Sequence, residues 1–368
     1  MPTPIYVTQP NMPPLDEFIP YLQKIWDSKV VTNGGVFHKN LETALCEYLG
    51  VKYLSLCSNG TLGLVIALKA LGVKGEVITT PYSFVATAHS LLWNGLQPVF
   101  VDIDPETLNI DPLLIEKAIT KNTTAILAVH CYGRPCDVDA IQKIADRHKL
   151  KVIYDAAHAF GIEDSQGSLL RHGEISVLSF HATKVFHTFE GGAIISSDER
   201  TKLHIDNLKN FGFLDETTVI EAGINGKMSE INAAMGLLQL PHMGKALARR
   251  REVDSIYRAG LEGVVGIRCH QTGGASKSNG GYFPIFVDSN YPVTRDELYE
   301  KLREDGFYAR RYFYPLIVEF PMYNRMQSAS LNNLANATEA SKKILCLPIY
   351  SDISHEHVNE IIRIIKNF

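Results

Sequence analysis

The chain has 368 residues, of which 45% are apolar and 21% charged, and a formal net charge of −4. That length predicts two domains, or one large domain with a smaller appendage, and a core big enough to need no disulfide or metal staple. The near-balanced charge argues against nucleic-acid and membrane partners. Six cysteines, none in a CxxC pair, read as reduced and mostly buried thiols. Cys131 and Cys136, which flank CYGRPC, read as packing and turn residues, and no metal site is expected. The opening MPTPIYVTQP lacks the pattern of a signal peptide, and no window approaches the roughly 20 apolar residues of a membrane span. A soluble, cytoplasmic protein is the expectation.

In chain order, the strand-like KYLSLC (52–57) leads into a helical CSNGTLGLVIALKALG (57–72). Buried strands are then predicted at EVITT (76–80), PVFVDI (98–103), AILAVH (125–130), KVIYDAA (151–157), ISVLSF (175–180) and GAIISS (192–197). They are rich in Val and Ile and do not alternate strictly, as expected where both faces of a sheet are covered. Helical patterns fall between them at 84–95, 111–120 and 137–149. This repetition predicts an α/β layered fold with a large, mostly parallel sheet. From about residue 228 one long helical stretch begins, with a kink expected at Pro241. A strand at YFPIFVD (282–288), a helix at 294–306 and a terminal helix at 354–368 complete a smaller α+β unit. The predicted division is a large domain at 1–245, including an N-terminal arm, and a small C-terminal domain at 246–368.

Four segments carry chemistry. Ser58, Asn59, Gly60 and Thr61 open a helix directly after a strand, where free backbone N–H groups and the helix dipole favour an anion. The same residues also suit a plain turn. In TTPYSFVATA (79–88), Tyr82 or Phe84 stands where an aromatic ring stacks on a flat cofactor or packs into the core. Asp155 in KVIYDAAHAFG ends a buried strand, where open α/β sheets place ligands. A buried carboxylate there needs a donor, either a pyridinium nitrogen or the N–H groups of a helix that it caps. His158 is open to the same two readings. In SFHATKVFHTFEGGAI (179–194), Lys184 follows a strand end among aromatic and small residues. Most lysines are solvated, but partial burial lowers an amine's proton affinity and makes it a nucleophile toward a carbonyl. Ser179 and His181 beside it read as strand-end hydrogen-bonding residues.

Taken together, SNGT, TPYSFVATA, VFVDIDPETLNID, VHCYGRPCD, DAAHAFG, SFHATK followed by EGGAI, and NGKMSEINAAMG resemble the DegT/DnrJ/EryC1/StrS sugar aminotransferases, in the same order over about residues 30–240. The resemblance implies the aspartate-aminotransferase-like fold, fold type I, with pyridoxal phosphate (PLP, alternating with its amino form PMP) as cofactor. It implies a homodimer whose active sites are shared across the interface. Lys184 would hold PLP covalently and then carry the proton of a 1,3-shift. Asp155 would pair the pyridine nitrogen, Phe84 would stack on the ring, and Gly60, Thr61, Leu62 and Ser179 would hold the phosphate. His158 stands where the family commonly has Gln, and would contact the cofactor. Asn225, together with Lys227, would reach the cofactor phosphate of the partner subunit.

SFHATK with EGG resembles the branch that aminates carbon 4 of a nucleotide-linked 4-keto-6-deoxy sugar. A dTDP-linked 4-keto-6-deoxy-D-glucose is the implied acceptor, glutamate the donor, and O-antigen or other lipopolysaccharide synthesis the setting. UDP-linked and 3-keto sugars are the alternatives. RRYFYP (310–315) offers Arg310, Arg311, Tyr312 and Tyr314 for the diphosphate or base, or else a surface turn. Phe186 and His187 are further candidates for lining the sugar pocket. A PMP-dependent dehydratase is disfavoured by the presence of Lys184 and by the lack of ferredoxin-like cysteine spacing. A non-catalytic PLP-binding regulator is disfavoured because no helix-turn-helix is appended.

Overall fold

The computed structural model describes residues 4–271, 273, 275 and 277–368. Residues 1–3 of the expected N-terminal arm lie outside the described residues. The arm carries β1 (Ile5–Tyr6) and runs into α1 (Leu15–Ser28) and α2 (Val36–Leu49). Helix α2 stops at Gly50, whose φ of 62° lets its N–H turn back to the carbonyls of Cys46 and Glu47.

Strand–helix alternation follows, with β2 (Tyr53–Cys57), α3 (Gly60–Ala70), β3 (Glu76–Thr79), α4 (Val85–Trp93) and β4 (Gln97–Phe100). It continues with α5 (Pro112–Ala118), β5 (Thr123–Val129), α6 (Val138–His148) and β6 (Lys151–Asp155). A short hairpin, β7 (Glu163–Asp164) and β8 (Gly167–Ser168), precedes β9 (Ile175–Ser179), β10 (Gly192–Ser196) and α7 (Glu199–Leu208). Seven strands form one sheet in the order β2-β10-β9-β6-β5-β3-β4. Only β10 runs antiparallel to its neighbours, and the remaining pairs are parallel.

The period of two in each strand divides the sheet's side chains between two layers. On β5, Ala125 and Leu127 pack with residues of α3 and α7, whereas Ile126 and Ala128 pack with residues of α5 and α6. On β6, Ile153 joins the first layer while Val152 and Tyr154 join the second. Burial on both faces is why these strands read as continuous apolar runs.

Helix α8 (Glu230–Leu261) is continuous through Pro241, where the sequence predicts a kink. Its first half packs Ala233, Met235 and Met243 against α1 and α2, and its second half sends Val253, Tyr257 and Leu261 into another core. That second core lies under an antiparallel sheet of β11 (Ile267–Cys269), β12 (Phe283–Val287) and β14 (Ile344–Leu347). Helices α9 (Arg295–Glu304) and α11 (His355–Lys366) pack on it, with β13 (Phe307–Tyr308) and α10 (Ala335–Lys343) completing the unit. The arm ties the two units together. β1 pairs with β13, and Asn11 bonds both Gln239 on α8 and Ser351 ahead of α11.

A second tie is made by the buried Asp102. Its carboxylate accepts the N–H groups of Asn336 (2.8 Å) and Ala337 (2.9 Å), capping α10 from the loop after β4. Asp102→Ala leaves two helix N–H groups without acceptors and removes a negative charge from a helix N-terminus. The expected loss is about 3 kcal/mol in urea unfolding. A change within error would mean that water replaces the cap.

Among the described residues no helix is long and apolar enough to cross a membrane. Nor is there a group of three or more His, Cys, Asp or Glu side chains able to hold a metal ion. Cys57, Cys131, Cys136 and Cys346 are buried thiols, Cys46 and Cys269 are partly exposed, and all six are free.

Candidate active site

The carboxyl ends of β5, β6 and β9 deliver Val129, Asp155 and Ser179 to the wall of one cavity of about 950 Å³. Ends of parallel strands are where the backbone leaves the sheet and loops can surround a ligand. The opposite wall comes from the small unit, through Tyr282, Tyr312 and Phe313.

One end of the cavity is built by α3. Asn59 caps the helix by accepting the N–H of Leu62 (2.8 Å), and the first N–H groups, on Gly60 and Thr61, have no carbonyl one turn earlier to receive them. Gly60, Thr61, Leu62 and Ser179 all line the cavity at this end. The turn is closely packed. A Cβ on Gly60 would lie 3.0 Å from that of Ser179, and one on Gly192 would lie 2.9 Å from the Gly60 nitrogen. Gly192 of EGGAI thus lets β10 run directly beneath a turn whose N–H groups favour an anion. The carbonyl of Gly226 accepts the N–H of Ser58 (2.8 Å), which brings neighbouring Asn225 to the same wall.

Asp155 sits on the cavity floor and is 6% exposed. Its Oδ2 accepts the Thr87 hydroxyl (2.7 Å) and its Oδ1 the N–H of Ala157 (3.1 Å). No helix follows it, because residues 156–162 form turns, so the helix-capping reading of Asp155 and His158 does not hold. Burial pushes the Asp155 carboxyl up, against the hydrogen bonds from Thr87 and Ala157. Among the described residues no cation lies within ion-pair distance of it. Two neutral donors leave a buried carboxylate short of compensation, and a pyridinium N–H is the kind of group that completes it.

His158 is fixed by the N–H of Tyr132, which its Nδ1 accepts (3.1 Å), so the ring proton resides on Nε2. Burial pushes His158 well below the usual range, with the Lys184 charge adding to the effect, and the ring is neutral.

Lys184 stands in the turn between β9 and β10, which is closed by Phe180 N–H to Gly191 O (2.8 Å) and Thr188 N–H to Phe180 O (3.0 Å). Its Nζ donates to the phenol oxygen of Tyr282 (3.1 Å). Burial lowers its pKa to about 8, opposed by the Asp155 charge. An amine so placed is partly unprotonated near neutral pH and is a competent nucleophile. An anion cradle, a buried carboxylate and a nucleophilic amine around one cavity form a set that fits PLP.

Other predicted residues fall into two groups. Phe84, 59% exposed at the start of α4, lines the cavity, as do Tyr312 and Asn225. Tyr82 is instead fully buried, bonded to the Tyr132 hydroxyl (2.8 Å). Phe186 and His187 do not reach the cavity, contrary to expectation. Phe186 stacks on Phe160 at 4.5 Å, and His187 is held by the Asn11 carbonyl (2.9 Å) and the Gln239 amide (2.8 Å). Both sit in the core because the turn around Lys184 folds back on α8.

Arg310 and Tyr314 also miss the cavity walls. The backbone of Arg310 bridges to Cys346 and its side chain is exposed, while Tyr314 lies under the guanidinium groups of Arg295 and Arg311. Tyr312 alone of the RRYFYP candidates lines the cavity, and Arg311 is held by Asp296 (2.8 Å) on α9. Lys227 donates to the side-chain oxygen of Asn210 (2.9 Å). The sequence alone did not point to Tyr282, Phe313 and Glu190 as cavity residues, nor to the buried Thr87 that holds Asp155 from behind. Thr87 had a visible signal, standing three residues after Phe84 on the same helix face. Tyr282 had none, being 98 residues from Lys184.

A model of the DegT/DnrJ/EryC1/StrS aminotransferase family matches residues 15–366. The chain is 57% identical over 366 residues to a dTDP-4-amino-4,6-dideoxy-D-glucose transaminase of Shigella dysenteriae, covering 100% of this chain and 99% of that one. It is 53% identical over 362 residues to the enzyme of the same name from Escherichia coli, covering 98% of each. Among solved structures, DesI, crystallised in the presence of its TDP-sugar product, superposes with a TM-score of 0.95 at 33% identity, covering 100% of this chain and 93% of DesI.

Proposed function

Since the chain belongs to the DegT/DnrJ/EryC1/StrS aminotransferase family and is a PLP-dependent aminotransferase, we propose that it moves an amino group from glutamate to carbon 4 of dTDP-4-keto-6-deoxy-D-glucose. The products are 2-oxoglutarate and dTDP-4-amino-4,6-dideoxy-D-glucose, so an amino group and a carbonyl oxygen change places without an external oxidant. The observation that carries the chemistry is Lys184 and Asp155 on the walls of one cavity whose end is the N-terminus of α3. The choice of sugar is supported by the 57% and 53% identities, each across nearly the whole chain.

PLP bound here supplies an electron sink through which the amino group passes from one substrate to the other. Gly60 and Thr61 would hold its phosphate through backbone N–H groups, helped by the Ser179 hydroxyl. Leu62, whose N–H goes to Asn59, lines the same end of the cavity without a free donor, contrary to expectation. Asp155 would pair the ring nitrogen and keep it protonated, the neutral His158 would offer its Nε2–H to the cofactor, and Phe84 would stack on the ring. Lys184 is the covalent anchor. When free, its Nζ would accept and return the proton that amino transfer moves, in both halves of the reaction.

The reading extends to a homodimer in which Asn225 also serves the partner's site, to a cytoplasmic location, and to lipopolysaccharide O-antigen synthesis. The 81% exposed Trp93 on the cavity wall supports a covering partner. Residues 1–245 act as the cofactor-binding domain and 246–368 as the smaller one that closes the cavity.

The test is an absorbance spectrum of the PLP-loaded protein, taken first with glutamate and then with the dTDP-linked ketone. The lysine-linked cofactor band should vanish with glutamate and return with the sugar. Loss without return discards this sugar and points to a UDP-linked ketone. No response to glutamate discards the donor.

A further inference from the structure

We propose that Tyr282 is a catalytic residue, whose phenol receives and orients the Lys184 amine whenever that amine is not covalently engaged. The proposal rests on Lys184 being the PLP lysine. Tyr282 touches the reacting nitrogen itself, with Oη 3.1 Å from Nζ. That contact is the one hydrogen bond of the phenol among the described residues. A ring needed only for packing, against His158 at 4.6 Å and Tyr132 at 5.5 Å, would serve equally well as phenylalanine.

The approach to Tyr282 is built from both units of the fold. Asn279, 1% exposed, donates to the carbonyls of His158 (2.9 Å) and Phe160 (3.0 Å) and accepts the N–H of Gly281 (2.9 Å). From the other side Arg250, 1% exposed and without a carboxylate partner among the described residues, donates to the carbonyls of Gly280 (3.4 Å) and Ile349 (3.0 Å). Gly280 has a φ of 59°, and a Cβ there would meet that of Arg250 at 2.9 Å. The run NGGY is therefore pinned at three consecutive residues, leaving the phenol little freedom except at its hydroxyl. Arg250 and Asn279 are positioning residues and Tyr282 is what they position.

The chemistry asks for such a group. A displaced lysine amine has a flexible four-carbon stem and must stay within reach of two carbon atoms while it carries a proton between them. Burial holds the Tyr282 phenol far above its usual range, so it stays neutral. A neutral phenol accepts from the ammonium form of Lys184 and donates to the free amine, serving both states. The other titratable groups facing this amine are Asp155, His158 and Tyr312, with Glu190 and its neighbour His181 also on the cavity wall.

The variant is Tyr282→Phe, which keeps the ring packing. Cofactor-free wild type and variant are mixed with PLP across a pH series. The rate at which the lysine amine condenses with the PLP aldehyde, releasing water, is followed by absorbance. Borohydride then fixes the linkage, and peptide mass analysis locates the labelled lysine. A charge-assisted bond to the ammonium is stronger than its neutral counterpart, so losing the phenol favours the free amine. The half-maximal pH of capture should fall by about one unit in the variant. Its glutamate half-reaction, read in a single turnover, should slow about tenfold. Label on Lys184 in both proteins with an unmoved pH profile and an unchanged half-reaction overturns the role of Tyr282 alone. Label on another lysine overturns the Lys184 assignment and this proposal with it.

Discussion

Lys184→Ala should lower turnover by at least about 10⁴-fold while leaving the fold intact, since one residue supplies both the nucleophile and the proton carrier. The side chain lies in the cavity and, among the described residues, makes one hydrogen bond, to Tyr282, so its removal opens no hole in the core. The cofactor-free protein should therefore unfold at nearly the wild-type temperature. Binding and covalent capture separate in this variant. PLP still docks, through the N–H groups at the start of α3, but borohydride treatment followed by denaturation should leave no cofactor on the chain. Added small primary amines should restore part of the glutamate half-reaction, because they replace the base without its tether. Turnover close to wild type would remove Lys184 from the chemistry and leave the cavity without its nucleophile.

How far the site was legible before the fold depends on where each residue's constraint lies. Asp155, Lys184 and the Ser58–Thr61 turn each follow a buried strand of one sheet. Continuous Val- and Ile-rich runs reveal such strands, and their carboxyl ends are where ligands gather. The glycines of EGGAI were visible as a motif, although their reason, the 2.9 Å approach of a Gly192 Cβ to the turn of α3, was not. Residues of the opposing wall were a different matter. Tyr282 reaches Lys184 only because Asn279 and Arg250 bring the start of β12 across the gap between the two units. No local pattern records that crossing. The errors share one cause. Phe186 and His187 are close to Lys184 in sequence, yet the turn carrying them folds back on α8, so nearness along the chain was mistaken for nearness to the cavity. In RRYFYP only Tyr312 of the four proposed contacts lines the cavity, beside Phe313, because a backbone bridge to Cys346 fixes which side chains face α9 and which face Lys184.

Asp155→Asn should cut the glutamate half-reaction by about 10²- to 10³-fold, the expected cost of breaking a buried charge pair. Asparagine fills the same space and still accepts one of the donors, Thr87 or Ala157, so the effect isolates charge from shape. The sign of the stability change differs between the two forms of the protein. Burial raises the Asp155 pKa above its ordinary value, so the protonated form is the one the cofactor-free fold favours. Its ionised form opposes folding once the pH passes that raised value. Removing the ionisable group relieves this at neutral pH, and the cofactor-free variant should melt no lower than wild type. PLP reverses the balance, because its protonated ring nitrogen is the cation that the carboxylate lacks. The rise in melting temperature on adding PLP should therefore be smaller in the variant. A wild-type rate of amino transfer together with an undiminished PLP-induced rise would mean that the ring nitrogen finds its partner elsewhere. The same result would leave Asp155 as a buried carboxylate held, among the described residues, by Thr87 and Ala157.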